Sequence, residues 1–405
     1  MHEQKLLYND YAITQPLLCA YIIRANDTGN IYKCLKRTAL SMKVLQTQHN
    51  RQYMSPGNMK IWRIRFAPLN IPLERRLQTL AAATWIFIIN FGNHIIIITM
   101  VYLLIYTQIR YLVLLYFLWM YYDWDTRNCN GRSPSKWTEF LRNNAFWRYF
   151  YNYFPMKLVK TVDLDPTKSY LFVCIPHGII TTGISTAFGT DILDCRKLFP
   201  GLDIRVIIHH KLFEVPVMRE FLISIGCCSS SVESIRYLLS TPPESPFTGR
   251  ATLLVVGGAA ELFEAKPGTY RTIVKRRKGF IKLALQHGTT LVPVFTFGET
   301  DLFNQLHQKE GSFFRRFRDY IFKLKLIPTI FWGRGYFQYS FGLIPNRTPI
   351  TVVVGGPIEL PKIAEPTAEQ INEYHEKFIQ QLIKLFETHK YSYLKDPEKI
   401  VVELI

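Results

Sequence analysis

Residues Tyr170-Leu-Phe-Val-Cys-Ile-Pro-His-Gly-Ile-Ile-Thr-Thr-Gly183 carry the pattern around which the rest of the chain is organised. The run Tyr170–Ile175 has the length and the aromatic and β-branched content of a buried strand. Pro176 removes a ladder donor and Gly178 permits a sharp turn, so His177 stands where the strand ends and the chain turns away. In a parallel α/β sheet that carboxyl end is where ligands bind. A single His at such a turn is more often a surface or capping residue, and its company along the chain is what points to chemistry.

Four more apolar runs after Pro155 repeat the strand pattern: Ile204–Ile208, Ala251–Val256, Thr290–Phe297 and Ile350–Val354. Helical stretches are expected between them, over Pro216–Ile225, Ser231–Leu239 and Lys278–His287, the last capped by Gly288. A closing amphipathic helix over about Ala368–Thr388 presents Ile371, Tyr374, Phe378, Leu382 and Phe386 as one apolar stripe. This alternation predicts an α/β domain with a largely parallel sheet. Two of the strands end as the first does, one in Gly257-Gly258-Ala-Ala-Glu261 and one in Gly298-Glu299. If the strands are parallel, His177, Glu261, Glu299 and a Gly-rich turn meet at one end of the sheet. A His with a carboxylate behind it is the minimal apparatus for taking a proton from an alcohol. The backbone N–H groups of Gly257 and Gly258 can hold an oxyanion or a phosphate.

Lys275-Arg-Arg-Lys278 opens the helix that follows. Four cations at a helix N-terminus oppose the macrodipole, so they do not serve helix stability. They suit a bound anion such as a coenzyme A phosphate, and equally a basic patch resting on lipid headgroups. Across the 405 residues, 49 Lys and Arg against 31 Asp and Glu leave a net charge of +18, which fits an anionic partner or the basic flanks of a membrane segment. Nucleic acid is disfavoured, because no zinc-finger, RNP or basic-zipper pattern is present. Cys19, Cys34, Cys129, Cys174, Cys195, Cys227 and Cys228 form no CxxC pair and read as reduced thiols of a cytosol-facing protein.

From Leu77 to Ile109 there is no Asp, Glu, Lys or Arg, a stretch longer than the ~20 residues one membrane span requires. Arg110 separates it from a second apolar run, Tyr111–Tyr122. Basic residues flank both ends, Arg63, Arg65, Arg75 and Arg76 before and Arg127, Arg132, Lys136, Arg142 and Arg148 after. By the positive-inside rule both ends face the cytosol, which predicts a membrane hairpin; a single span with one basic flank in the lumen is the alternative. Asp123 to Tyr153, rich in aromatic and basic residues, reads either as an interfacial helix or as a core-packing one. The expected organisation is a poorly ordered extension over 1–60, a membrane hairpin region over 61–125, and a cytosolic α/β domain over 126–405.

Walker A, G-x-G-x-x-G, G-x-S-x-G and H-E-x-x-H are all absent. Several ordered blocks instead resemble the type-two diacylglycerol acyltransferase family, which also contains monoacylglycerol and wax-alcohol acyltransferases. They are Phe66-Ala-Pro-Leu-Asn-Ile-Pro-Leu-Glu-Arg-Arg-Leu-Gln78, Tyr122-Asp-Trp-Asp-Thr126, Pro176-His-Gly178, Val255-Val-Gly-Gly-Ala-Ala-Glu261, Arg277-Lys-Gly-Phe-Ile-Lys-Leu-Ala284, Val292-Pro-Val-Phe-Thr-Phe-Gly-Glu299, Gly333-Arg-Gly335 and Gly355-Gly-Pro-Ile358. The resemblance implies a metal-free enzyme of the endoplasmic reticulum membrane, with its catalytic domain on the cytosolic side and an association with lipid droplets. It implies transfer of a fatty acyl group from acyl-CoA, a substrate and not a resident cofactor, to a neutral-lipid hydroxyl. Diacylglycerol is the expected acceptor; monoacylglycerol, a long-chain alcohol or retinol is the alternative, and a non-catalytic lipid-binding descendant is a further one. A homo-oligomer is compatible with it.

Carried onto this chain, the resemblance makes His177 alone the base; on the residues themselves Glu261 or Glu299 is the expected carboxylate partner, and Arg277, Lys278 and Arg334 are expected to bind the coenzyme A phosphates. The family's box is His-Pro-His-Gly, whereas Ile175 stands here in the first position, and Thr182 occupies the place of the acid in an H-x-x-x-x-D relation. By strand alternation Ile175 is expected to line the same pocket as His177.

Overall fold

The computed structural model describes residues 60–61, 64–68, 70–129, 131–132, 135–307, 311–323 and 328–405. The chain divides into two units, Met1–Met59 and Lys60–Ile405. The first falls outside the described residues, and with it all of the extension expected over 1–60 except Lys60.

Helix α1 (Leu73–Phe87) passes through one π-helical turn, Ile88–Gly92, into α2 (Asn93–Tyr106). The whole, Leu73–Tyr106, is long and apolar enough to cross a membrane. Its two halves differ in surroundings. In α1, Ala81, Ala82 and Ile86 are buried, and Trp85 meets Trp147 edge-on at 4.9 Å between ring centroids. In α2 no residue is buried. Thr107 leaves the helical conformation, and α3 (Arg110–Tyr122) follows, with Leu112, Leu114, Leu115 and Leu118 exposed. Apolar surface of that extent is poorly suited to water, and the long helix that ends in α2 is compatible with a membrane anchor.

The aromatic–basic stretch after α3 forms a 3₁₀ turn, Trp124–Arg127, and two helices, α4 (Lys136–Asn143) and α5 (Ala145–Tyr153). Of its two readings, α5 takes the core-packing one. Its Trp147, Phe150 and Tyr153 are buried against Ala81, Ala82 and Ile86 of α1. The i, i+3, i+6 spacing of those rings turns them to a single side. In α4, Arg142 is buried and bonded to Asp191 at 2.8 Å, while Trp137 and Phe140 stack outside.

The main sheet has seven strands: β1 (Lys157–Lys160), β2 (Ser169–Ile175), β3 (Leu202–Ile208), β4 (Cys227–Ser229), β5 (Gly249–Val255), β6 (Thr290–Phe297) and β7 (Thr351–Val354). Their order is β1-β7-β6-β2-β5-β3-β4, and every neighbouring pair is parallel except β7 with β6. The expected mixed α/β fold with a largely parallel sheet is therefore present. Strands β1 and β4 carry no strong sequence signal: β1 mixes Lys with Leu and Val, and β4 is three residues long.

Between β2 and β3 lies α6 (Thr182–Gly189), and between β3 and β5 lie α7 (Met218–Ser224) and α8 (Val232–Ser240). Ser231 caps α8 by accepting the Ser234 N–H. After β5 come the short α9 (Gly258–Leu262) and α10 (Gly279–His287), which ends on Gly288 in the left-handed region as expected. Helices α11 (Phe313–Lys323) and α12 (Ala368–Tyr393) follow. Thr367 and Gln370 close a capping box at the start of α12, whose Phe378, Leu382 and Phe386 are fully buried. Burial pushes the Cys195 and Cys227 thiols up to about 12, which suits inert packing residues.

Candidate active site

Parallel register brings three strand ends together. Tyr170 pairs with Ala251 on one side and with Thr290 on the other, so β2, β5 and β6 run in step and finish at the same edge. His177, Glu261 and Glu299 all emerge there. All three side chains are largely withdrawn from water, with Glu261 and Glu299 each only 1 % exposed.

The His177 ring is oriented by backbone. Its Nδ1 lies 3.1 Å from the Gly178 carbonyl oxygen. A carbonyl only accepts, so the contact requires a proton on Nδ1 and leaves Nε2 with the lone pair. Burial lowers the His177 pKa below the ordinary imidazole value and favours the neutral ring. A neutral ring with a free Nε2 is the form that accepts a proton.

The two carboxylates take different partners from the ring. Glu261 Oε2 accepts the backbone N–H of His177 at 3.2 Å. Burial pushes Glu261 up to about 7, against the pull of Thr272, the His177 N–H and Arg277. Glu299 accepts the Thr182 N–H with one oxygen and the Gly183 N–H with the other, each at 2.7 Å. These are unpaired donors of the first turn of α6, where a negative group offsets the helix dipole. Thr182 stands at the acid position of the H-x-x-x-x-D relation, and the structure delivers a carboxylate to its backbone from the end of another strand. Burial also pushes Glu299 up to about 7, opposed by the two N–H donors.

Three glycines make the arrangement possible. A Cβ on Gly257 would sit 1.6 Å from Glu261 Oε2, so the carboxylate folds back over a residue that has no side chain. A Cβ on Gly178 would meet Glu299 Cγ at 2.7 Å, and its φ of 62° is left-handed. Gly258, with φ 55°, has open space where a Cβ would stand, next to the backbone N–H groups expected to hold an anion.

Ile175 is a core residue, whereas alternation along the sequence set it on the side of His177. It is 1 % exposed and packs with Leu171, Val173 and its register partner Phe295 in the core. The chain turns at Pro176, so strand alternation does not reach His177.

The basic candidates separate into two places. Lys275, Arg276, Arg277 and Lys278 are exposed around a 3₁₀ turn and the first residues of α10, and Arg277 is felt by Glu261. Lys278 Nζ donates to Asn372 Oδ1 of α12 at 2.6 Å. Arg334 instead lies over the Tyr339 ring at 4.3 Å, with Nε donating to the Gly335 carbonyl at 3.2 Å. Its charged neighbour is Arg347, held down to about 10 by burial and by Arg75 and Arg334. Among the described residues no group of His, Cys, Asp and Glu is arranged to hold a metal ion.

Two further positioning residues carry no local sequence signal. Gln305 Nε2 donates to the carbonyls of Leu262, Phe263 and Ala265 at 3.2, 2.9 and 2.6 Å, fixing the turn that leaves α9. The Tyr270 hydroxyl accepts the Gly298 N–H at 3.0 Å beside Glu299. Only the fold reveals that these side chains face the site.

Comparison with known proteins follows the same direction. The family described as Diacylglycerol acyltransferase matches residues 102–403. The chain is 42% identical over 332 residues to 2-acylglycerol O-acyltransferase 1 of Bos taurus, covering 82% of this chain and 96% of that protein. It is 38% identical over 331 residues to Diacylglycerol O-acyltransferase 2 of Dictyostelium discoideum, covering 81% and 96%. It is 40% identical over 324 residues to Diacylglycerol O-acyltransferase 2 of Homo sapiens, covering 78% and 80%. The crystal structure of the LPA acyltransferase PlsC from Thermotoga maritima overlaps at a TM-score of 0.32 and 11% identity, over 77% of this chain and 97% of that one, too loose an overlap to bear on fold or chemistry. By extent and identity of match, the chain belongs to the diacylglycerol acyltransferase family and is an acyltransferase acting on neutral lipids.

Proposed function

We propose that the protein transfers a fatty acyl group from acyl-CoA to the hydroxyl of diacylglycerol, giving triacylglycerol, with His177 as general base. The observation that carries this reading is the Nδ1 contact to Gly178, which leaves Nε2 as proton acceptor in a ring that burial keeps neutral. Nε2 takes the acceptor's hydroxyl proton as its oxygen bonds to the thioester carbon. The C–S bond then breaks, and the proton passes from the imidazolium to the coenzyme A thiolate. The N–H groups of Gly257 and Gly258 hold the oxyanion, for which the open space at Gly258 leaves room. Glu261 and Glu299 act as positioning carboxylates: one holds the His177 backbone, the other the start of α6. Arg277 and Lys278 receive the coenzyme A phosphates.

The membrane segment is read as a hairpin that returns to the face it left. Both of its ends rest on the same domain: Trp85 on Trp147 before it, and Asp123 on Arg219 at 2.8 Å after it. Acceptor and acyl chain then reach the site from the bilayer without crossing water. The endoplasmic reticulum membrane, with the domain in the cytosol, and the lipid droplet surface are the proposed locations.

A second reading, acylation of 2-monoacylglycerol, is favoured by the relatives named 2-acylglycerol O-acyltransferase 1. The test is turnover of labelled acyl-CoA by the protein in microsomes with diacylglycerol, 2-monoacylglycerol, long-chain alcohol or retinol as acceptor. Highest kcat/KM with diacylglycerol supports the first reading, and preference for monoacylglycerol supports the second. No transfer to any of them sinks both.

A further inference from the structure

Helix α11 has the sequence Phe313-Phe-Arg-Arg-Phe-Arg-Asp-Tyr-Ile-Phe-Lys323. Its spacing divides it into faces. Phe313, Phe317 and Tyr320, at i, i+4 and i+7, form one stripe with Phe314 beside it, and all four rings are exposed, Phe313 by 75% and Phe314 by 69%. Phe313 and Phe317 stack at 6.4 Å. The opposite side holds the helix to the domain: Phe322 meets Phe263 edge-on at 5.1 Å, and the Arg318 guanidinium lies over the same ring at 4.6 Å. Phe263 belongs to the apolar cluster that also contains Ala81, Ala82 and Ile86 of α1, so α11 and the helix leading into the membrane pack on one core. Arg315, Arg316 and Arg318 outnumber the one acid of the helix, Asp319.

We propose that α11 is an interfacial helix that lays its Phe313–Phe314–Phe317–Tyr320 face into the headgroup boundary of an anionic phospholipid bilayer. Four exposed rings on one helix are unstable in water and suited to the acyl boundary, while the exposed Arg316 beside them is drawn to negative headgroups. Charge decides against a second copy of the chain as occupant. A two-fold contact through this helix sets each copy's Arg316 against the other's, with Asp319 already paired to Arg318 at 2.7 Å. Through Phe263 the helix packs on the same apolar core as α1, the helix read as entering the bilayer. The helix touches Phe263, two residues from Glu261, so its docking fixes how the site stands relative to the membrane. The proposal concerns depth and is independent of which acceptor is acylated.

The test uses the full chain with Cys19, Cys34 and Cys129 replaced by Ser, and Phe314→Cys labelled with an environment-sensitive nitrobenzoxadiazole probe. The remaining cysteines are buried and do not label. The protein is placed in nanodiscs of phosphatidylcholine with or without phosphatidylserine, with Ile98→Cys in α2 as the lipid-exposed reference. Expected are blue-shifted emission and quenching by shallow spin-labelled lipid at position 314, both increased by phosphatidylserine. Arg316→Gln should shift the docked-to-undocked ratio down by about fivefold. Phe317→Cys labelled in the same way should repeat the result, which guards against a local fault at 314. Water-like emission in both lipid compositions, with Ile98→Cys reading lipid, overturns the proposal. So does a probe shielded from aqueous iodide but not quenched by lipid, which would mean a protein partner, and so does an emission indifferent to phosphatidylserine.

Discussion

Glu261 Oε2 accepts the backbone N–H of His177 at 3.2 Å, joining the ends of two neighbouring parallel strands through a main-chain donor and leaving the imidazole to Gly178. A neutral amide oxygen can also accept that N–H. Glu261→Gln is therefore expected to keep kcat within about tenfold of wild type, whereas Glu261→Ala, which leaves the donor unpaired, falls further and loses stability by about 1–3 kcal/mol. Gly257→Ala should resemble Glu261→Ala, because a Cβ there displaces the carboxylate. A loss of several hundredfold in Glu261→Gln would show that the carboxylate acts on the ring.

His177→Ala is expected to lower kcat by roughly two to four orders of magnitude, the usual contribution of a positioned general base, with expression and membrane insertion retained. Because burial lowers the His177 pKa, the acid limb of the wild-type kcat–pH profile should lie below the ordinary imidazole value of 6.5. An acid limb at or above it would contradict the neutral buried ring. Full activity in the Ala variant would mean that another residue is the base.

Glu299→Ala removes the acceptor of two N–H groups and is expected to cost about 2–4 kcal/mol in an unfolding experiment. The pH dependence follows from the raised pKa of the folded state. Relative to the ordinary 4.5, a value of about 7 gives a stabilising contribution that is complete below 4.5 and lost as pH rises through about 7. Glu299→Gln should flatten that part of the melting temperature–pH curve relative to wild type. An unchanged curve would place the Glu299 pKa near its ordinary value.

Arg277→Ala is expected to raise KM for acyl-CoA with less effect on the acceptor, while Arg334→Ala, removed from its seat on Tyr339, should alter stability more than KM. Weakened membrane attachment with an unchanged KM in Arg277→Ala would favour the headgroup reading of the basic run.

Ile175→His places an imidazole in the core against Val173 and Phe295, and is expected to destabilise by roughly 2–4 kcal/mol. Activity per folded molecule should not rise. A variant as stable as wild type and more active would mean that position 175 reaches the site after all.

Elements whose residues carry a period were legible before the fold was known. Tyr170–Ile175, Thr290–Phe297 and the stripe Phe378, Leu382, Phe386 are apolar for reasons that act within a few residues, and each falls where its pattern placed it. The charge-free stretch after Leu77 was legible in the same way as part of a helix long and apolar enough to cross a membrane, because burial in hydrocarbon would constrain every residue of such a helix at once. His177, Glu261 and Glu299 were legible as candidates at strand ends, since Pro and Gly mark where a strand must stop. Their partners were not. Only the register of β2 against β5 and β6 brings Glu261 to the His177 N–H and Glu299 to Thr182, across 84 and 117 positions, and only the turn at Pro176 parts Ile175 from the site. Local sequence encodes what a residue needs of its surroundings, and strand pairing decides which distant group meets that need.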